Sequence, residues 1–80
     1  MTAARTVTLF TRPGCHLCEQ ARDLLRQAAR GTAIAVCEVN IDADPTLRER
    51  YGVRVPVALI DDRELAWPFS LLDVRRALGR

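Results

Sequence analysis

The sequence predicts a single α/β domain in which a mixed β-sheet carries helices, in the order β-α-β-α-β-β-α. Three observations lead there. Short apolar runs rich in β-branched residues alternate with stretches whose apolar positions follow helical spacing. Gly and Pro punctuate the passages between them. Two of the last runs are separated only by Asp61-Asp62, so they form a hairpin, whereas the first two are joined through a helix and are parallel.

Each element has its own signal. Val7-Thr8-Leu9-Phe10 is a buried strand ended by Pro13-Gly14. From Leu17 onward, Leu17, Ala21, Leu24, Leu25 and Ala28 repeat at helical intervals, with Glu19, Arg22, Arg26 and Arg30 between them and Gly31 as the stop. The run from Ala33 to Ile41 is a second strand, continuously apolar at its start as in a strand covered on both faces, and Cys37 within it is expected to be a small buried hydrophobe. Asp44-Pro45 opens a short helix, with Asp at the N-cap and Pro at the first helical position; Leu47 and Tyr51 face inward and Gly52 closes it. Val57-Ala58-Leu59-Ile60 and Arg63-Glu64-Leu65-Ala66 make the hairpin. Ser70 and Asp73 form a capping-box start for a last helix with the stripe Leu71, Val74, Ala77 and Leu78.

Bulk properties narrow the function. Eighty residues make one domain, expected to span 1–80. A chain of this size buries roughly 60% of its unfolded surface, enough for one sheet with helices packed on it. The net charge is +2, all twelve basic residues are Arg, and acidic residues are interspersed with them. The basic stripe of a nucleic-acid binder is missing, so no nucleic-acid partner is expected. No apolar stretch is long enough to cross a bilayer, and Met1-Thr2-Ala3-Ala4-Arg5 lacks the apolar core of a signal peptide. The expected location is therefore the cytoplasm, with no membrane partner, as a monomer.

In a reducing compartment, two close cysteines point to catalysis or metal binding rather than a permanent crosslink. Cys15 and Cys18 sit three residues apart where the first helix begins. Side chains at i and i+3 on a helix have Cβ atoms roughly 5–6 Å apart, and a disulfide needs about 4 Å. The closed loop is very short, so the bond removes little unfolded-chain entropy. A bond that forms easily and stabilises little is suited to being made and broken. Zinc ordinarily takes four ligands, and a second Cys-x-x-Cys or a His pair is absent; His16 and Cys37 are the remaining candidates. No metal site is expected.

Thiol–disulfide exchange requires a thiolate. Cys15 precedes the helix, where free N–H groups and the positive end of the helix dipole favour a negative sulfur, and Arg12 and protonated His16 would add to that. Cys18, one turn in, should point toward the interior. Cys15 is thus the nucleophile and Cys18 the resolving thiol. His16 is otherwise a solvent-exposed side chain, and Arg12 an exposed loop arginine.

The motifs Thr11-Arg12-Pro13-Gly14-Cys15-His16-Leu17-Cys18 and Arg54-Val55-Pro56, in this element order, resemble the glutaredoxin family of small thioredoxin-fold proteins over nearly the whole chain. The resemblance implies a four-stranded mixed sheet with helices on both faces, and a thiol–disulfide oxidoreductase acting on protein or glutathione-mixed disulfides. No bound cofactor is implied, and glutathione would enter as a cosubstrate. It further implies that Pro56 is cis and faces the cysteine pair, that Val55 offers its backbone to an extended thiol substrate, and that Arg12 contacts a glutathione carboxylate. A non-catalytic metal or iron–sulfur carrier, or a partner-binding module, is the alternative on the same fold. Where the family carries a Gly-Gly turn and an acidic pair for the glutathione γ-glutamyl end, this chain has Ala66-Trp67-Pro68-Phe69-Ser70. Trp67 and Phe69 are expected either to anchor the last helix as a packing corner or to form an aromatic edge to the substrate groove.

Overall fold

A computed structural model describes residues 5–79. The leader-free start expected at Met1–Ala4 lies outside the described residues, as does Arg80. The elements follow the expected order: β1 Arg5–Thr11, α1 His16–Ala29, β2 Ile34–Asn40, α2 Pro45–Tyr51, β3 Val57–Ile60, β4 Arg63–Ala66 and α3 Leu71–Ala77, with a 3-10 turn at Ile41–Ala43 between β2 and α2. The sheet order is β2-β1-β3-β4, with β1 and β2 parallel and the β1–β3 and β3–β4 pairs antiparallel.

Strand alternation sends the side chains of β1 and β3 to two separate cores. Val7, Leu9, Ala58 and Ile60 meet Ala21 and Leu25 of α1, Val74 of α3, Phe69 and Leu78 on one face. On the other, Phe10 and Val57 pack with Ile41 and Tyr51, and Leu47 of α2 joins them. The helices thus cover both faces. Tight turns close the corners: Asp61 takes φ 55° in the β3–β4 hairpin, where a short polar side chain tolerates the left-handed region. Arg5 then spans the sheet end by bonding the Asp61 carboxylate and the Leu78 carbonyl.

Two expectations about β2 are corrected. It is covered only in part on either face, as an edge strand whose residues are half-buried or exposed. Ile34 and Val36 lean on the α1 core and Val39 on the α2 core, yet Cys37 is exposed rather than buried. The physical reason is coverage. α2 has only seven residues and packs on Phe10, Val39 and Val57, which leaves the strip around Cys37 open. Ile41, assigned to the strand from sequence, is fully buried within the 3-10 turn.

The register fixes what lies at one end of the sheet. Thr11 ends β1 opposite Asn40, Phe10 pairs with Val57 at the start of β3, and Val57 pairs with Ala66 at the end of β4. The loop after β1, the segment before β3 and the segment after β4 therefore leave the sheet at the same end of its strands. All three carry residues singled out from the sequence.

Candidate active site

The loop between β1 and α1 is a β-turn, closed by the Cys15 N–H donating to the Arg12 carbonyl at 3.3 Å. Pro13 and Gly14 are its central residues, and Gly14 has φ 75°. That is the type II pattern, which needs positive φ at its third position and so favours Gly there. The turn delivers Cys15 as the N-cap of α1. Its Sγ accepts the Cys18 N–H at 3.1 Å. The sulfur thus occupies the place of a capping oxygen, within the positive field of the first helical turn. Cys15 and Cys18 are joined in a disulfide with Cα atoms 5.2 Å apart. The two differ in access. Cys15 is half-buried, whereas Cys18 is 4% exposed and turned toward the interior. Leu17, between them, is exposed.

The other anticipated residues lie around this end of the sheet. The Val55–Pro56 peptide is cis, and Pro56 is fully buried. The Val55 N–H donates to the Tyr51 carbonyl at 3.1 Å, so it is already engaged within the chain. Arg12 sends Nη1 to the Gly52 carbonyl and Nη2 to the Asp42 carboxylate, both at 3.0 Å. Its guanidinium thereby ties the cysteine loop to the 3-10 turn and to the end of α2. His16 is exposed, with Nδ1 4.0 Å from Glu19 on the next turn. Among the described residues no three His, Cys, Asp or Glu side chains gather as a metal site.

Beyond β4, Phe69 is buried in the α1–α3 core and Trp67 packs on it edge to face, ring centroids 5.2 Å apart. This is the packing corner expected as one of two readings. The Trp67 N–H donates to the Pro56 carbonyl, linking the corner to the cis-proline segment. Ser70 caps α3 in a reciprocal box: its Oγ accepts the Asp73 N–H, and the Asp73 carboxylate accepts the Ser70 N–H. The backbone bond from Ser70 holds the Asp73 carboxyl below the usual carboxylate range, reinforced by the Ser70 hydroxyl.

Sequence reasoning missed one cluster next to the site. Tyr51, at the end of α2, stacks on Phe10 with centroids 4.4 Å apart and donates its hydroxyl to Glu64 of β4 at 2.6 Å. Arg54 and Arg50 also reach the Glu64 carboxylate, at 3.2 and 3.4 Å, and both guanidinium groups lie over the Tyr51 ring. The hydrogen bond to Glu64 pushes the Tyr51 phenol above its ordinary value, helped by burial. The same bond lowers the Glu64 carboxyl, with the two arginines adding to it. Because Tyr51 also accepts the Arg54 and Val55 N–H groups, the cluster anchors the segment leading into Pro56. No local signal marked it, since its members come from α2, the following loop and β4.

A four-stranded mixed sheet ordered β2-β1-β3-β4, a Cys-x-x-Cys capping the first helix and an X-Pro ahead of the third strand define a thioredoxin-type α/β domain. The chain belongs to the Glutaredoxin-like domain (DUF836) family, which matches residues 6–79. It is similar to a structural-genomics target protein from X. campestris, with 44% identity, coverage of 91% of this chain and 95% of that one, and a TM-score of 0.78. An uncharacterized protein of Mycobacterium tuberculosis is 32% identical over 63 residues, which span 72% of this chain and 65% of that protein's length. This chain thus matches just under two thirds of that curated relative. Thioredoxin 1 from Thermosipho africanus shares the fold at 18% identity, with a TM-score of 0.70 and coverage of 94% and 91%. Among the described residues, no helix is long and apolar enough to cross a membrane.

Proposed function

We propose that this protein is a thiol–disulfide oxidoreductase in which Cys15 attacks and Cys18 resolves. The observation that carries the reading is the asymmetry of the pair: Cys15 caps a helix with its sulfur on a backbone N–H, while Cys18 is one turn inward and shielded. In the reduced protein, the Cys15 thiolate attacks one sulfur of a substrate disulfide. A Cys15–substrate disulfide forms, and the other substrate sulfur leaves as a thiolate that takes up a proton. Cys18 then loses its proton and attacks the Cys15 sulfur. The second substrate thiol is released, and the Cys15–Cys18 pair is left as a disulfide, having given two electrons to the substrate sulfurs. A thiol reductant, glutathione in the simplest case, returns the pair to the dithiol.

The substrates in this reading are protein disulfides or glutathione-mixed disulfides in the cytoplasm, with Val55, Pro56 and Arg12 lining the approach. Support for that placement is the shared sheet end of the cysteine loop and the Val55–Pro56 segment. The engaged Val55 N–H leaves its carbonyl as the backbone group for a substrate, and Arg12 must leave Asp42 to contact a carboxylate. The test is exchange with glutathione disulfide followed by intact mass. Wild type should give the intramolecular disulfide and Cys18→Ser a stable glutathione adduct. Cys15→Ser should give no turnover; full activity in Cys15→Ser would overturn the assignment.

A further inference from the structure

The two edges of the sheet are built differently. β4 is four residues long and carries Arg63 and Glu64, the short, charged kind of edge that resists pairing. β2 is seven residues long, Ile34–Asn40, with one charge, no proline and no bulge: its register with β1 runs unbroken from Ile34 opposite Arg5 to Asn40 opposite Thr11. Among the described residues nothing pairs with its outer side.

The ladder fixes which groups face outward. The Arg5 N–H donates to the Ala33 carbonyl, which makes Arg5 and Ile34 bridge partners. In a parallel pair, the neighbours of the bridged residue supply the hydrogen bonds. Residues 33, 35, 37 and 39 therefore turn their peptide groups to β1, and Ile34, Val36, Glu38 and Asn40 turn theirs away. We infer that β2 is a self-association edge, pairing antiparallel with β2 of a second copy about a two-fold axis at Cys37.

In that register Val36 meets Glu38 of the other copy and Ile34 meets Asn40. All four outward residues then fall in hydrogen-bonded pairs, about eight N–H···O bonds in total. Shifting the axis to Val36 or Glu38 leaves part of the strand unpaired, and an axis at Glu38 sets two carboxylates opposite one another. With the axis at Cys37, each Glu38 lies one pleat step from the position reached by the other copy's Arg26, whose guanidinium is 3.9 Å from its own Glu38. The two Glu38 carboxylates are then offset diagonally instead of directly opposed, and each has its own Arg26 beside it. The two Cys37 residues form a non-hydrogen-bonded pair with Cα atoms roughly 4.5 Å apart, and each thiol is exposed on the open strip beside α2.

One strand pair buries less than the roughly 1,200 Å² of a stable interface, so association is weak and concentration-dependent. This proposed pairing departs from the monomer expected from the sequence.

The test is the mass of reduced protein by sedimentation from micromolar to millimolar concentration. Wild type and Cys37→Ser should approach twice the chain mass at the upper end. Glu38→Pro, which removes an outward N–H, and Cys37→Lys, which opposes two ammonium groups, should each weaken association by about tenfold or more. Cys37 is exposed, so Cys37→Lys remains informative if Glu38→Pro fails to fold. In a Cys15→Ser/Cys18→Ser background, a short bis-maleimide should link the two Cys37 side chains. A wild type that stays monomeric at millimolar concentration overturns the inference. So does a dimer that Cys37→Lys leaves unchanged.

Discussion

Reducing the Cys15–Cys18 bond should cost the folded protein little. The cysteines are separated by three positions, so the bond closes a loop of four residues. In the chain-entropy account, a loop of that size restricts the unfolded state by about 6 cal/mol/K, or about 2 kcal/mol at 25 °C. That is the ceiling on how much more stable the oxidised form can be if native strain and solvation cancel. Reduction also creates a Cys15 thiolate at a helix N-cap, where its sulfur faces the Cys18 N–H. Each pKa unit by which the fold lowers that thiol offsets about 1.4 kcal/mol of the difference at a pH above both the folded and unfolded values. The expected outcome is an oxidised form ahead by about 2 kcal/mol or less, equivalent to roughly 40 mV in a two-electron couple. Guanidinium unfolding of both forms measures it, with titration of the reduced protein by alkylation rate. An oxidised form ahead by more than about 4 kcal/mol, with a Cys15 thiol at or above an ordinary free cysteine, would refute the reasoning and make the bond a staple.

Other consequences test the frame around the pair. Leu25 is 1% exposed where α1 packs on β1, β3 and α3, so Leu25→Ala should cost about 3 kcal/mol in urea unfolding. For a domain of this size that lowers the melting temperature by roughly 12–24 °C. Gly52 has no positive φ, but a Cβ there would lie 2.6 Å from the Arg48 carbonyl oxygen. Gly52→Ala should therefore destabilise, shift the amide resonances of Arg54 and Val55, and disturb the Arg12 contact to the Gly52 carbonyl. The Tyr51–Glu64 bond should be visible as two arms of the stability–pH curve. Glu64 is lowered on folding, so its contribution is full above the ordinary carboxylate range and fades as pH falls through the folded value. Tyr51 is raised, so its contribution is present below the ordinary phenol value and is lost as pH rises through the folded one. Tyr51→Phe should remove the alkaline arm and shrink the acid arm. The remainder of the acid arm belongs partly to Asp73 and should diminish in Asp73→Asn.

The order of elements, the parallel β1–β2 pair, the β3–β4 hairpin, the loop that leads to Cys15 and the reciprocal cap of α3 were legible in the sequence because their signals are local, whereas the antiparallel β1–β3 pair joins segments far apart in the chain. Pro13-Gly14 sets the turn that delivers Cys15, the spacing of Ala21, Leu24, Leu25 and Ala28 sets the face that α1 buries, and Ser70 with Asp73 satisfies its own helix end. The side-chain partners of Arg12 were not legible. Asp42 and the Gly52 carbonyl reach it only because β1 and β2 end side by side and α2 folds back over that end.

Cys37 marks the same division. An apolar run around a cysteine carries one hydrophobicity whether it becomes a central strand or an edge, and burial depends on what the remaining elements have left to cover it. The chain alone determined that two thiols sit at the mouth of a helix with their sulfurs within bonding reach. Tertiary packing decided which strand faces solvent, which carboxylates meet which arginines, and that Tyr51 braces the approach to Pro56. Those outcomes arise from contacts between segments far apart in sequence, whose energies no single segment encodes.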